Sequence, residues 1–138
     1  MNRLHRHRNT LLLVLASAFL AASIQSASAQ EPPARKGVKS KPLSVVDLGP
    51  EFTGMEGHVL RLRINTIAPG GSTGFHSHKD KPSIVYVVQG DVVEYRDGKT
   101  RELAQGAVVS QGKDHSHALE NRGTSPAVLL ESEVIVKK

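Results

Sequence analysis

The chain has 138 residues, no cysteine, no tryptophan and a formal net charge of +5. Without cysteine it has neither disulfides nor a lipid-anchoring thiol, so a small domain must be stabilised by a closed core, a metal or association. With three Phe and two Tyr, that core must be mostly Val, Leu and Ile.

Residues 1–9 carry Arg3, Arg6 and Arg8 and no acid; an apolar block of twelve residues, 11–22, follows, and Ala27-Ser28-Ala29 ends the segment. A basic start, a short apolar block and a small-x-small site form the pattern of a secretory signal peptide. Twelve residues reach only about 18 Å as helix, short of a bilayer core of roughly 30 Å, so a stable membrane anchor is not expected. The expectation is cleavage after Ala29 and a periplasmic or secreted bacterial protein. Removing 29 of the 138 residues leaves 109, one small domain, and lowers the charge to +2. Such a balance, in an exported chain, gives no reason to expect nucleic-acid binding.

Residues 30–42 are rich in proline and positive charge and read as a flexible arm, with the folded domain expected over 43–138. Leu43–Leu48 reads as a first strand and Gly49–Gly57 as loop. His58–Thr66 alternates, with His58, Leu60, Leu62, Ile64 and Thr66 on an apolar face and Arg61, Arg63 and Asn65 on the other. This predicts a half-buried strand whose arginines face solvent or a partner. Pro69–Gly74 is a glycine-rich turn leading to His76 and His78, which share a face if the chain is extended there. Ser83–Val88 reads as a central strand. Asp91–Tyr95 and Thr100–Leu103 flank Asp97-Gly98, a strong hairpin signal. Ala107–Ser110, Ser116–Glu120 and Ala127–Val136 complete an all-β pattern of a sandwich or barrel, with no amphipathic helix after the signal segment.

Four of the five histidines after residue 29 form two His-x-His pairs, His76/His78 and His115/His117. Two such pairs in a short all-β chain point to a metal, and neutral imidazole suits iron, nickel, copper or zinc. Histidine ligation would weaken below about pH 6, as rings with pKa near 6.5 protonate.

These residues resemble the cupins. The first cupin motif is matched by Gly70, His76, His78 and Gly90, with Ser83 where the family has glutamate; the second is matched by Gly106, His117 and Asn121, with Gly112 and Asp114 at its proline and glycine positions. The resemblance covers roughly Leu60 to Val136. It implies a double-stranded β-helix, or jelly-roll barrel, with His76, His78 and His117 holding one divalent transition metal (Fe, Mn, Ni, Cu or Zn). Ser83 is a poor substitute for the glutamate ligand. His115 and Ser83 are candidates for a further ligand or a supporting contact, and His58, Tyr86, Gln89 and Glu94 for the pocket. Three functions fit. The first is a metal-dependent oxygenase acting on a small organic molecule, which a three-histidine iron site resembles. The second is a non-redox isomerase or decarboxylase in the same barrel. The third is a non-catalytic module that binds a small molecule or a metal. The resemblance also implies a homodimer.

Overall fold

The computed structural model describes residues 31–137, so the expected signal segment lies outside the described residues. Nine strands run in chain order: β1 (Lys36–Asp47), β2 (His58–Ser72), β3 (His76–Ser77), β4 (Ser83–Gln89), β5 (Val92–Arg96), β6 (Lys99–Leu103), β7 (Val108–Gln111), β8 (Ser116–Glu120) and β9 (Ala127–Val136). There is no helix among the described residues. The strands follow the order β6-β5-β8-β2-β9-β4-β7, with β1 added to β2 and β3 to β8. The result is the expected all-β jelly-roll barrel, nearly closed.

One strand joins the two halves. The first ten residues of β2 pair with β9, and its last, Ser72, pairs with Glu120 of β8. The bend between them needs Gly71, where a Cβ would lie 2.8 Å from the Ala68 carbonyl oxygen and 3.0 Å from that of Lys36. The β5–β6 hairpin turns on Asp97 (φ 51°) and Gly98 (φ 70°), the left-handed pair that the sequence predicts for a tight two-residue turn. The core is an aliphatic cluster of Ile67, Val85, Val87, Val92, Leu103, Val109, Leu119, Ala127 and Leu129.

Two expectations are corrected. The arm over 30–42 is not free along its length: β1 begins at Lys36 and stays paired with β2 as far as Asp47. Its lysines and Pro42 sit on an exposed edge strand, where such residues blunt the edge without preventing pairing on the other side. The faces of β2 are inverted as well. Val59, Asn65 and Ile67 are buried and Arg61 and Arg63 turn inward with them, while Leu60 is exposed. Hydropathy misassigns this strand because its inward arginines meet acids on β9. In the ladder Arg61 faces Glu133 and Arg63 faces Glu131, and both glutamates are buried. Arg61 binds Glu133 at 2.7 Å, and Arg63 binds Glu131 and Glu133, each at 2.8 Å.

Breaking a buried pair strands the remaining charge. Arg63→Ala should therefore cost about 3 kcal/mol or more of stability. Urea unfolding of the variant beside the wild type measures this; a loss below ~1 kcal/mol would mean that the ladder behaves as a surface ion pair.

Candidate metal centre

His76 lies on β3, His117 opposite it on β8, and His78 just past the end of β3. The β3–β8 pairing sets His76 and His117 side by side. The backbone N–H of His78 donates to the carbonyl of His115 at 2.8 Å, which continues the alignment past the strand. The ligating atoms of the three rings lie within 4.8 Å of one another. His78 Nε2 is 3.2 Å from His76 Nε2 and 3.1 Å from His117 Nε2.

The other ring nitrogens fix the protons. His76 Nδ1 is 3.0 Å from the Gly74 carbonyl oxygen, His78 Nδ1 is 3.2 Å from that of Lys81, and His117 Nδ1 is 2.8 Å from a carboxylate oxygen of Glu94. All three partners accept, so each Nδ1 carries the proton and donates it. Each Nε2 of a neutral ring then presents a lone pair. Three lone pairs converging at such distances repel unless a cation lies between them. For metal–nitrogen bonds of roughly 2.05 Å, ligand nitrogens stand about 2.9 Å apart at right angles and about 3.4 Å apart at the tetrahedral angle. The observed 3.1 and 3.2 Å fall between these values, so the residues fit one transition-metal ion.

Protonation of His76 and His78 is disfavoured as well. Burial pulls His78 down to about 4, against the opposing effect of its bond to the Lys81 carbonyl. Burial also lowers His76. Glu94 is fully buried beneath His117. Burial pushes its carboxyl up, but hydrogen bonds from His117 and Arg101 outweigh this and hold it at about 2. An ionised Glu94 keeps the His117 proton on Nδ1, an arrangement typical of carboxylate-supported metal ligands.

The remaining expected residues divide. Ser83 is buried below His78, with Oγ 3.3 Å from His78 Nδ1, and its hydroxyl donates to Gln111. It supports the site and does not stand among the converging nitrogens. His115 does not join the cluster; its ring centre is 6.3 Å from that of His117 and its Nε2 is buried without a partner. Glu94 belongs under His117 and not in the pocket. Tyr86 is exposed on the outer face, because it alternates with buried Val85 and Val87. Gln89 is exposed beyond a bulge after Val87, which breaks the alternation that would have turned it inward. His58 sits at the far start of β2 opposite Val136, and it does not line the histidine cavity.

That cavity measures about 640 Å³ and opens beside His76 and His117. Its charged lining consists of Arg35, Arg63, Lys81 and Glu131. Arg63 and Glu131 neutralise each other, and Asn65 also donates to Glu131 at 2.8 Å. Arg35 and Lys81 form no ion pair among the described residues. One wall is the segment Pro32–Arg35, tied down by Ser72 Oγ donating to the Pro33 carbonyl at 3.2 Å and packed on Gly74. A Cβ at Gly74 would come within 2.9 Å of Arg35. Gln111, Arg63, Lys81 and Glu131 are site residues that the sequence reading missed. The inward alternation of Val109 and Gln111 was the available signal for the first; the others depend on which strands become neighbours.

The lowered histidine and glutamate pKa values set a stability profile. A group whose folded pKa is depressed stabilises the fold above its unfolded value, and this is lost as pH falls toward the folded value. Metal-free protein should therefore weaken from about pH 6.5 down to about 4 through His78, and again from about 4.5 toward 2 through Glu94. Urea midpoints across this range test it; a flat profile between pH 7 and 4.5 would contradict a neutral, buried His78. Glu94→Gln should lower metal affinity about 10- to 100-fold by replacing the charged acceptor of the His117 proton with a neutral one, measured by chelator competition.

Comparison with known proteins agrees with this geometry. The cupin-domain family Cupin_2 matches residues 63–133. An oxalate-binding protein of Thermotoga maritima is 32% identical over 64 residues, which are 46% of this chain and 53% of the relative. The match thus spans about half the length of that curated relative. Among solved structures, a predicted oxalate decarboxylase from Thermotoga maritima superposes with a TM-score of 0.58 at 22% identity, over 79% of this chain and 96% of the other. The Cupin_2 domain of an XRE-family transcriptional regulator from Enterobacter cloacae gives 0.54 at 19% identity, over 75% and 100%. At such identities these structures speak to the fold. With both motifs, the barrel and the family match in agreement, the chain belongs to the cupin family.

Proposed function

We propose that this protein is an exported cupin that holds one divalent transition metal on His76, His78 and His117 and binds a small carboxylate in the adjoining cavity. The convergence of three Nε2 lone pairs, with every Nδ1 proton already donated elsewhere, carries the metal assignment. The ligand class follows from charge. The three ligands are neutral, Glu94 is committed to His117 and Arg101, and Glu131 to Arg63 and Asn65. A divalent ion beside uncommitted Arg35 and Lys81 leaves a cavity with excess positive charge, which favours an anion. The oxalate-binding relative supports a compact dicarboxylate as the first ligand to try. The basic, apolar and small-residue pattern of residues 1–29 supports export.

Binding without turnover is the reading the geometry favours. Decarboxylation or isomerisation needs a proton donor or acceptor facing the ligand; among the described residues Glu131, the carboxylate lining the cavity, is held by Arg63 and Asn65, and Lys81, the remaining proton donor, is taken up as the counter-charge of the bound anion. The second reading is the oxygenase. It is favoured by a neutral shell of three histidines, which leaves coordination positions for both a ligand and O₂. A bound redox metal would supply the electron transfer that such chemistry requires.

Elemental analysis of protein purified without chelators or a His tag tests the metal. About one equivalent is expected. A His76→Ala/His78→Ala variant should lose it; no metal in the wild type after reconstitution would overturn the proposal. Calorimetry of the loaded protein with oxalate should show saturable binding that Lys81→Glu weakens. Binding that is unchanged by the charge reversal would argue against an anion cavity.

A further inference from the structure

We propose that Gln111 is a fourth ligand to the metal, taking the place of the carboxylate that Ser83 does not provide. The proposal rests on the metal assignment made above and adds to it a residue outside the histidine pairs.

Gln111 ends β7 on the inward face and is 2% exposed. Its Nε2 lies 3.1 Å from His117 Nε2, the same separation that His78 keeps from His117. The side chain therefore reaches the lone pair of one of the three converging histidines. It is held there by the residue that broke the family pattern. Ser83 and Gln111 face each other in the β4–β7 ladder, and the Ser83 hydroxyl donates to Gln111 Oε1. A serine at this position is too short to join the cluster itself. Its small size leaves room for the cross-strand glutamine, and its hydroxyl fixes the amide.

In the arrangement seen, the Gln111 amide donates to the otherwise unpaired lone pair of His117. A cation on that lone pair would repel an amide N–H and attract an amide oxygen. Turning the amide plane over about its last torsion, which is soft and roughly two-fold, exchanges the two ends. Oε1 then points to the ion, and the NH₂ group donates to Ser83 Oγ, which accepts as readily as it donates. The resulting shell of three imidazoles and one amide is neutral. The ion keeps its full charge for the ligand, where a glutamate would have cancelled half of it.

The test is cobalt binding to the full-length protein, with affinity read by chelator competition and the ligand field by visible absorption. Gln111→Ala should weaken cobalt binding about tenfold or more and shift the absorption bands. Gln111→Glu should bind cobalt at least as tightly as the wild type and bind oxalate more weakly, because the new carboxylate reduces the charge. Cobalt bound by Gln111→Ala with wild-type affinity and spectrum overturns the Gln111 assignment and leaves the three-histidine site standing. A wild-type protein that takes no cobalt overturns both. Should Gln111→Ala fail to fold, Gln111→Glu decides alone, and an unchanged spectrum with unchanged oxalate affinity counts against the proposal.

Discussion

The site depends on where three protons go. Each histidine of the cluster gives its Nδ1 hydrogen to a fixed acceptor: the Gly74 carbonyl, the Lys81 carbonyl or the Glu94 carboxylate. Once those protons are placed, the three Nε2 lone pairs have no choice but to face one another. That arrangement is unfavourable in an empty site and favourable around a cation. Its cost is met by the fold, since two of the acceptors are backbone groups whose positions the chain path sets. The third, Glu94, is on β5 and reaches His117 through the β5–β8 pairing. The barrel thus preorganises the ligands, and ordering them need not be supplied by the metal.

The interior carries charge on β2 and β9. Arg61, Arg63, Glu131 and Glu133 form a ladder across β2 and β9, next to the aliphatic core. Aliphatic core residues Val85, Leu119 and Leu129 and the Arg63–Glu131 pair of the ladder line the histidine cavity together. Because the ladder is self-neutral, it contributes walls without net charge. On the proposed function, the positive excess of the cavity comes from Arg35, Lys81 and the ion. Selection of an anion, as proposed, thus falls to residues outside the ion ladder. Ion pairs of this kind are weak evidence for net stability, but they are costly to break singly.

Much of this was legible in the residue order. The Asp97-Gly98 turn, the strands over 116–120 and 127–136, and the spacing of Gly70, His76, His78, Gly106, His117 and Asn121 all survive in the fold. Local backbone preference and motif spacing are properties of neighbouring residues, so they can be read without knowing the fold. The inward or outward sense of β2 could not be read in this way. Alternation shows that a strand has two faces, and hydropathy assigns the apolar one to the interior. Here Glu131 and Glu133, about seventy residues away, make the arginine face the buried one. Gln89 fails for a related reason, since one bulge after Val87 resets the alternation.

By itself, the sequence determined the fold class, the two histidine motifs and the missing glutamate at Ser83, because each is a pattern of residue types at fixed spacing. Only the tertiary structure decided which residues surround the histidines. Glu94 became a support for His117, Ser83 an anchor for Gln111, and Pro32–Arg35 a wall of the cavity. His115, two residues from a histidine of the cluster, was left outside it. These roles depend on pairing between β5 and β8, β4 and β7, and β1 and β2, and a contact between distant strands has no local signature for the sequence to carry.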